Sequence, residues 1–191
     1  MYRYIRAIIC VIYTSIKFSV MKLFEGNNFK YSWLCVCSPL TEVDIRNGKL
    51  IIGKHFKMRS HSHLRVRKNA LLQLGDNVSL NYGNMIVSHE KIIIGNDVQF
   101  GPNVLIYDHD HDYRAEGGIK SGKFKTSPVI IGNNVWIGAN SLILRGTVIG
   151  DNCVIGGGSI IKGTYQANSV VIQKRAMGVL KQHEGANQSI T

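Results

Sequence analysis

Residues 128–163 read PVIIGNNVWIGANSLILRGTVIGDNCVIGGGSIIKG, and their spacing decides the fold. Ile131, Ile137, Ile143, Ile149, Ile155 and Ile161 recur with a period of six. Two places before each stands a small or β-branched residue: Val129, Val135, Ser141, Thr147, Cys153 and Ser159. Gly132, Gly138, Gly150 and Gly156 directly follow four of the six isoleucines. A helix repeats near 3.6 and a half-buried strand at 2, so neither yields this pattern. A strict six-residue period marks a parallel β-helix, an all-β solenoid whose short strands meet at corners. The isoleucine points inward, and Gly or Asn tolerates the backbone of the corner.

Upstream the period persists in weaker form. Ile94, Phe100 and Ile106 keep the spacing, with Ile92, Val98 and Val104 two places before them. Residues 50–53 (LIIG), 70–75 (ALLQLG) and 91–95 (KIIIG) look like further corners. The solenoid is expected over 48–169, broken once at 107–127. Residues 25–47 read as a connecting segment, with turn residues at Gly26-Asn27-Asn28 and Asn47-Gly48. Residues 170–191 read as a tail, a short helix around Met177, Val179 and Leu180 followed by a frayed polar end.

The 191 residues suit one domain with a substantial core. There are 23 basic and 12 acidic residues, a formal charge of +11. Such a surface suits nucleic acid, an anionic membrane or a phosphate-bearing small molecule. The basic residues gather at 54–68 (KHFKMRSHSHLRVRK) and near both ends without forming a nucleic-acid motif, so nucleic acid is not an expected partner. Cys35 and Cys37 form a C-x-C pair with no second pair at zinc-ligand spacing, and Cys153 takes an inward repeat position. Reduced thiols in a cytoplasmic protein are expected.

In residues 1–24, Ile5, Ile9, Ile12, Ile16, Val20 and Leu23 form one stripe of an amphipathic helix, flanked by Arg3, Arg6, Lys17 and Lys22. The uninterrupted apolar run, 7–13, is too short to span a bilayer. Three roles remain open: packing on the domain or a neighbouring subunit, lying on the anionic inner membrane surface, or a cleaved signal. Lys17 and Lys22 after the apolar run, and the lack of a small-x-small cleavage site, weigh against the last.

The interruption reads YDHDHDYRAEGGIKSGKFKTS. A polar insertion in a solenoid coil is a natural place for function. Asp108, His109, Asp110, His111 and Asp112 alternate within it. They suit a metal site, a solvated loop whose Asp residues cap turns, or a general base whose imidazole is oriented by a carboxylate.

Residues 94–114 (IGNDVQFGPNVLIYDHDHDYR) and 129–163 together resemble the hexapeptide-repeat acyltransferases, especially the maltose and galactoside O-acetyltransferases and the O-acetyltransferases of bacterial surface polysaccharides. The resemblance implies a left-handed coil, since the period itself carries no hand. It implies a homotrimer with active sites between subunits, acetyl-CoA as donor, a sugar or glycan acceptor and no metal. The general base of the family lies nine residues after a Pro in a GPNV-like segment, which is His111 counted from Pro102. By the same resemblance Asp108, Asp110 or Asp112 would orient it, and His109 would order the loop or meet the acceptor. Asn81, Tyr107, Asp108 and Asp110 would face the acceptor. His89 falls where some sugar acetyltransferases carry an acidic acceptor contact, so the acceptor should differ from theirs. Trp136, Gly138, Ala139, Gly157, Gly158 and Lys162 would line the donor groove. The chain then departs from the family: IQKRAMGVLK (172–181) stands where relatives have a G-N-P-A-like turn, leaving Lys174 and Arg175 for the nucleotide phosphates. The expected reaction is O-acetylation of a sugar hydroxyl in bacterial surface polysaccharide synthesis. N-acyl transfer to a nucleotide-linked amino sugar, a γ-carbonic-anhydrase-like metal enzyme and a non-catalytic scaffold are the rivals.

Overall fold

The computed structural model describes residues 2–174. An α-helix, α1 (Tyr2–Glu25), is followed by a solenoid of three parallel sheets with seven, seven and six strands. The first face runs from Phe29–Tyr31 to Thr164–Tyr165, the second from Val36–Cys37 to Val170–Val171, and the third from Glu42–Ile45 to Ile160–Ile161. This is a left-handed parallel β-helix. The six isoleucines of 128–163 are at most 2% exposed and stack on one another, Ile131 on Ile149, Ile137 on Ile155, Ile143 on Ile161. The residues two places before them are equally buried, so each coil contributes two inward side chains per face.

The solenoid begins earlier than 48. Residues 29–45, read above as a connecting segment, form a complete first coil: Phe29 pairs with Leu50, Val36 with Lys57 and Glu42 with His63. Its inward residues Phe29, Cys35 and Thr41 do stand six apart, but one is aromatic, one a thiol and one polar. At the far end Val170–Val171 still pairs with Val154–Ile155. The tail beyond 174, with Arg175 and the expected short helix, lies outside the described residues.

Within every coil the inward residues on successive faces keep a six-residue step: Leu50, Phe56, Ser62; Leu72, Val78, Asn84; Ile92, Val98, Val104. All extra length enters at the corner joining the third face back to the first. Successive first-face partners Phe29, Leu50, Leu72 and Ile92 are 21, 22 and 20 residues apart, whereas Val129 and Thr147 are 18 apart. Between Ile92 and its partner Val129 that same corner carries the insertion.

Another corner is built by side chains that accept left-handed backbone. His55, Asn77, Asp97, Asn134, Asn152 and Asn168 all have φ between 52° and 63°, a region that short polar side chains enter most readily. Parts of this column are bonded coil to coil, as in Asn134 Nδ2 to Asn152 Oδ1 (2.9 Å) and Asn152 Nδ2 to Asn168 Oδ1 (3.1 Å).

α1 covers the open edge of the first coil, whose backbone groups have no preceding strand. Thr14 Oγ1 accepts the Cys37 N–H at 2.7 Å, and the Lys17 and Lys22 ammonium groups donate to the carbonyls of Thr41 and Phe29 at 2.9 Å. Phe18 is fully buried, edge-on to Phe29 at 5.2 Å and to Tyr31 at 5.3 Å. The helix therefore packs through Cys10, Thr14 and Phe18. The isoleucine stripe is on its other side, because the coil edge demands polar partners that the stripe lacks.

Candidate active site

The insertion folds as a small antiparallel hairpin, His109–His111 against Phe124–Thr126. Its feet are tied by Ser127 N–H to Asp108 O at 2.9 Å. Asp108 is fully buried and anchors the hairpin to the same corner of the preceding coil. Its carboxylate accepts from the Ser88 hydroxyl, the backbone N–H groups of His89, Glu90 and Lys91, and His109 Nδ1, at 2.8–3.2 Å. Burial works to raise the Asp108 carboxyl, but the bonds from His109, the two amides and Ser88 outweigh it and hold it below the usual range. Asp108 is thus ionised at neutral pH. An ionised carboxylate only accepts, so His109 carries its proton on Nδ1.

Alternation along the hairpin strand places His109 and His111 on one side and Asp110 on the other. His109 is half-buried, stacked on His89 with 3.7 Å between ring centroids. Phe124 touches all three imidazoles, with centroids 4.3 Å from His89, 5.3 Å from His109 and 4.7 Å from His111. Burial, and then the neighbouring His109, lowers the His89 pKa to about 4, so it is neutral at pH 7. His111 is exposed and makes no side-chain hydrogen bond among the described residues. The carboxylates proposed to orient it have other partners. Asp108 holds His109, Asp110 pairs with Arg145 Nε at 2.5 Å, and Asp112 pairs with Lys125 Nζ at 3.1 Å. Among the described residues no group of three His, Cys, Asp or Glu is arranged to hold a metal.

Asn81 is part-exposed in a turn, its Oδ1 accepting the Tyr82 N–H at 2.9 Å. It stands at the corner between the second and third faces. Gly138, Ala139, Gly157 and Gly158 occupy that same corner in later coils, where Gly158 N–H bonds Ala139 O at 2.7 Å and Gly158 has φ 70°. The missing Cβ of Gly138 is a packing requirement, since it would lie 2.5 Å from Gly157 N. Gly157, in contrast, is exposed. Trp136 is 56% exposed on the second face, flanked by Gln99 and Val154. Tyr107 is part-exposed at the base of the hairpin, its ring edge-on to His109 at 5.7 Å. Lys162 is exposed on the hairpin's corner two coils on, and Lys174 is exposed at the end of the described chain. The structure thus gathers Tyr107, Asp108, His109 and His111 at one corner, and Asn81 with the glycines at the next. Sequence reasoning missed Ser88, Phe124 and Arg145. Phe124 is the one aromatic in the basic stretch KSGKFKTS, which was its available signal.

A family model for the bacterial transferase hexapeptide (six repeats) matches residues 128–163. WbbJ of Escherichia coli (strain K12), a candidate lipopolysaccharide biosynthesis O-acetyl transferase, is 31% identical over 136 residues, covering 66% of this chain and 69% of its own. The chain belongs to the hexapeptide-repeat acyltransferases. Galactoside O-acetyltransferase of the same organism is 38% identical over 99 residues, and the match spans 52% of this chain but only about half (48%) of that relative. Among solved structures, AntD, an N-acyltransferase from Bacillus cereus in complex with dTDP and 3-hydroxybutyryl-CoA, superposes with a TM-score of 0.65 at 18% identity, covering 80% of each chain. That likeness is one of fold.

Proposed function

We propose that this acyltransferase carries the acetyl group of acetyl-CoA to a sugar hydroxyl during synthesis of a bacterial surface polysaccharide, with His111 as general base. One observation carries the assignment to the hairpin: its root is locked by the fully buried Asp108, while His111 on the same strand is exposed and its side chain makes no hydrogen bond among the described residues. A base must be held still and yet reach a proton on an incoming group. His109, wedged between Asp108 and His89, serves to hold the strand. The sequence relationship to WbbJ and galactoside O-acetyltransferase supports O-transfer over N-transfer, whereas AntD shares only the fold.

In the proposed reaction His111 takes the proton of the acceptor hydroxyl as its oxygen attacks the thioester carbonyl. A backbone N–H steadies the oxyanion. The protonated imidazole then returns the proton to sulfur as the C–S bond breaks, leaving an ester and free thiol. The exposed Trp136 and Gly157 suit the pantetheine arm, and Lys162 and Lys174 suit its phosphates. The hairpin and the glycine column occupy different corners of one prism. A cleft with both walls therefore calls for a neighbouring copy, in keeping with a homotrimer whose sites lie between subunits.

The test is thiol release from acetyl-CoA across a panel of sugars, with mass spectrometry of the product. Alkali-labile acetate on oxygen is the expected outcome. An alkali-stable amide on a nucleotide-linked amino sugar would favour N-transfer instead.

A further inference from the structure

We infer that α1 docks the protein on an anionic membrane, lying flat with its isoleucine stripe in the lipid. The helix uses one face on its own solenoid, and among the described residues nothing covers the other. Ile5, Ile9, Ile12, Ile16, Val20 and Leu23 are 45–83% exposed. The same end of the molecule adds Trp33, 74% exposed beside the helix, and Leu40, 62% exposed. Trp is the side chain best suited to the boundary between headgroups and acyl chains. Isoleucines on a soluble helix are normally turned inward, so a bare stripe this long marks a binding surface.

Charge selects the occupant. By sequence α1 has four basic residues against one acidic residue, Glu25, and two of the four, Lys17 and Lys22, are engaged by first-coil carbonyls. On the flank of α1 away from Trp33, Lys57 and Arg59 are exposed along a groove lined by Ala7 and Cys10. A stripe of aliphatic side chains bordered by cations is the form of an interfacial helix on anionic lipid. Side-by-side association of prisms, which the proposed inter-subunit cleft requires, would leave this end of the solenoid uncovered.

The uninterrupted run 7–13 is too short for a span, but the whole segment Ala7–Asn28, with its few charges included, is long and apolar enough to cross a membrane by length and composition. It lies on the surface instead, because Thr14, Phe18, Lys17 and Lys22 fasten it to the first coil. The hairpin leaves the fourth coil, three coil spacings from the first coil on which α1 lies, or about 14 Å at the usual separation of paired strands, with the width of the helix in addition. Docking would hold that corner close to the lipid headgroups.

The experiment is flotation of the full chain with vesicles of phosphatidylethanolamine and phosphatidylglycerol, and with vesicles of phosphatidylcholine alone. Wild type should float with the anionic vesicles, less so as salt rises, and be released by alkaline carbonate. The triple variant Ile9→Ser, Ile12→Ser, Ile16→Ser should lose about 100-fold in partitioning, with thiol release and thermal midpoint unchanged. Failure of wild type to float, or equal flotation by the variant, would overturn the inference. So would carbonate resistance, which means a span, and a change of oligomeric state in the variant, which means that the stripe joins copies of this chain. None of these outcomes depends on what the hairpin catalyses.

Discussion

The coils of 129–171 and those of 29–107 share one fold but differ at a single corner. In the later coils the third corner is short: the first-face partners Ile130 and Val148 stand 18 residues apart, and Val148 and Thr164 only 16. In the earlier coils such partners stand 20 to 22 apart, and in the fourth coil the same corner expands into the hairpin. The core tolerates this because the inward residues on either side of the corner keep their places. The lesson is that regularity and chemistry are separated along the chain. The later coils hold shape, and the corner free to vary in length is where the histidines are mounted.

The strongest way to break this comparison is to remove the hairpin. Replacing 109–126 by a two-residue Asn-Gly turn keeps Asp108 and Ser127, which already meet at 2.9 Å. Acetyl transfer should fall by about 10⁴-fold, the full contribution of a positioned base, with far-ultraviolet circular dichroism unchanged. A cooperative loss of the whole solenoid would show that the corner is structural.

A smaller effect is expected from Asp108→Asn. An amide of the same shape offers its own donors to the N–H groups of Glu90 and Lys91, which now meet a carboxylate at 2.8 Å. The cost should be roughly 2–3 kcal/mol, read as a fall in thermal midpoint of about 5–10 °C, together with a lower kcat. An unchanged midpoint would mean that the carboxylate does not anchor the hairpin.

Acid should loosen the same corner. His89 titrates near 4 in the fold and near 6.5 in an unfolded chain. The unfolded state therefore binds the proton first, and stability is full above pH 6.5 and lost as pH falls from there towards 4. Asp108, held low, adds a loss only below the ordinary carboxylate range. Thermal midpoints measured across this window should decline, and His89→Leu should flatten the decline. The smallest effect belongs to the regular coils: Trp136→Ala should raise KM for acetyl-CoA by about 3- to 10-fold at constant kcat and midpoint, since the side chain is 56% exposed.

The residues that announced the fold were those whose type and spacing agreed. Ile131 to Ile161 did both, and the structure stacks them as the period requires. The first coil kept the spacing but not the type. Phe29, Cys35 and Thr41 are buried as well, yet no aliphatic marker advertises them. The stripe on α1 was legible as a stripe, but its direction was not. Which face a helix buries depends on what its partner lacks, and the first coil lacks hydrogen-bond partners. At the hairpin, the histidines and aspartates were visible as a cluster. The pairing of Asp108 with Ser88 and His89, and of Asp110 with Arg145, arises from contacts between coils that no local pattern encodes.

The central claim is that His111 on the anchored hairpin removes the acceptor proton. Steady-state thiol release from acetyl-CoA, with an acceptor sugar present, tests it in His111→Ala and His109→Ala side by side. The account predicts a fall in kcat of about 10²–10⁴-fold for His111→Ala, with its thermal midpoint kept, and a smaller fall for His109→Ala accompanied by a lower midpoint. Near-normal turnover by His111→Ala, with His109→Ala inactive and fully folded, would contradict it.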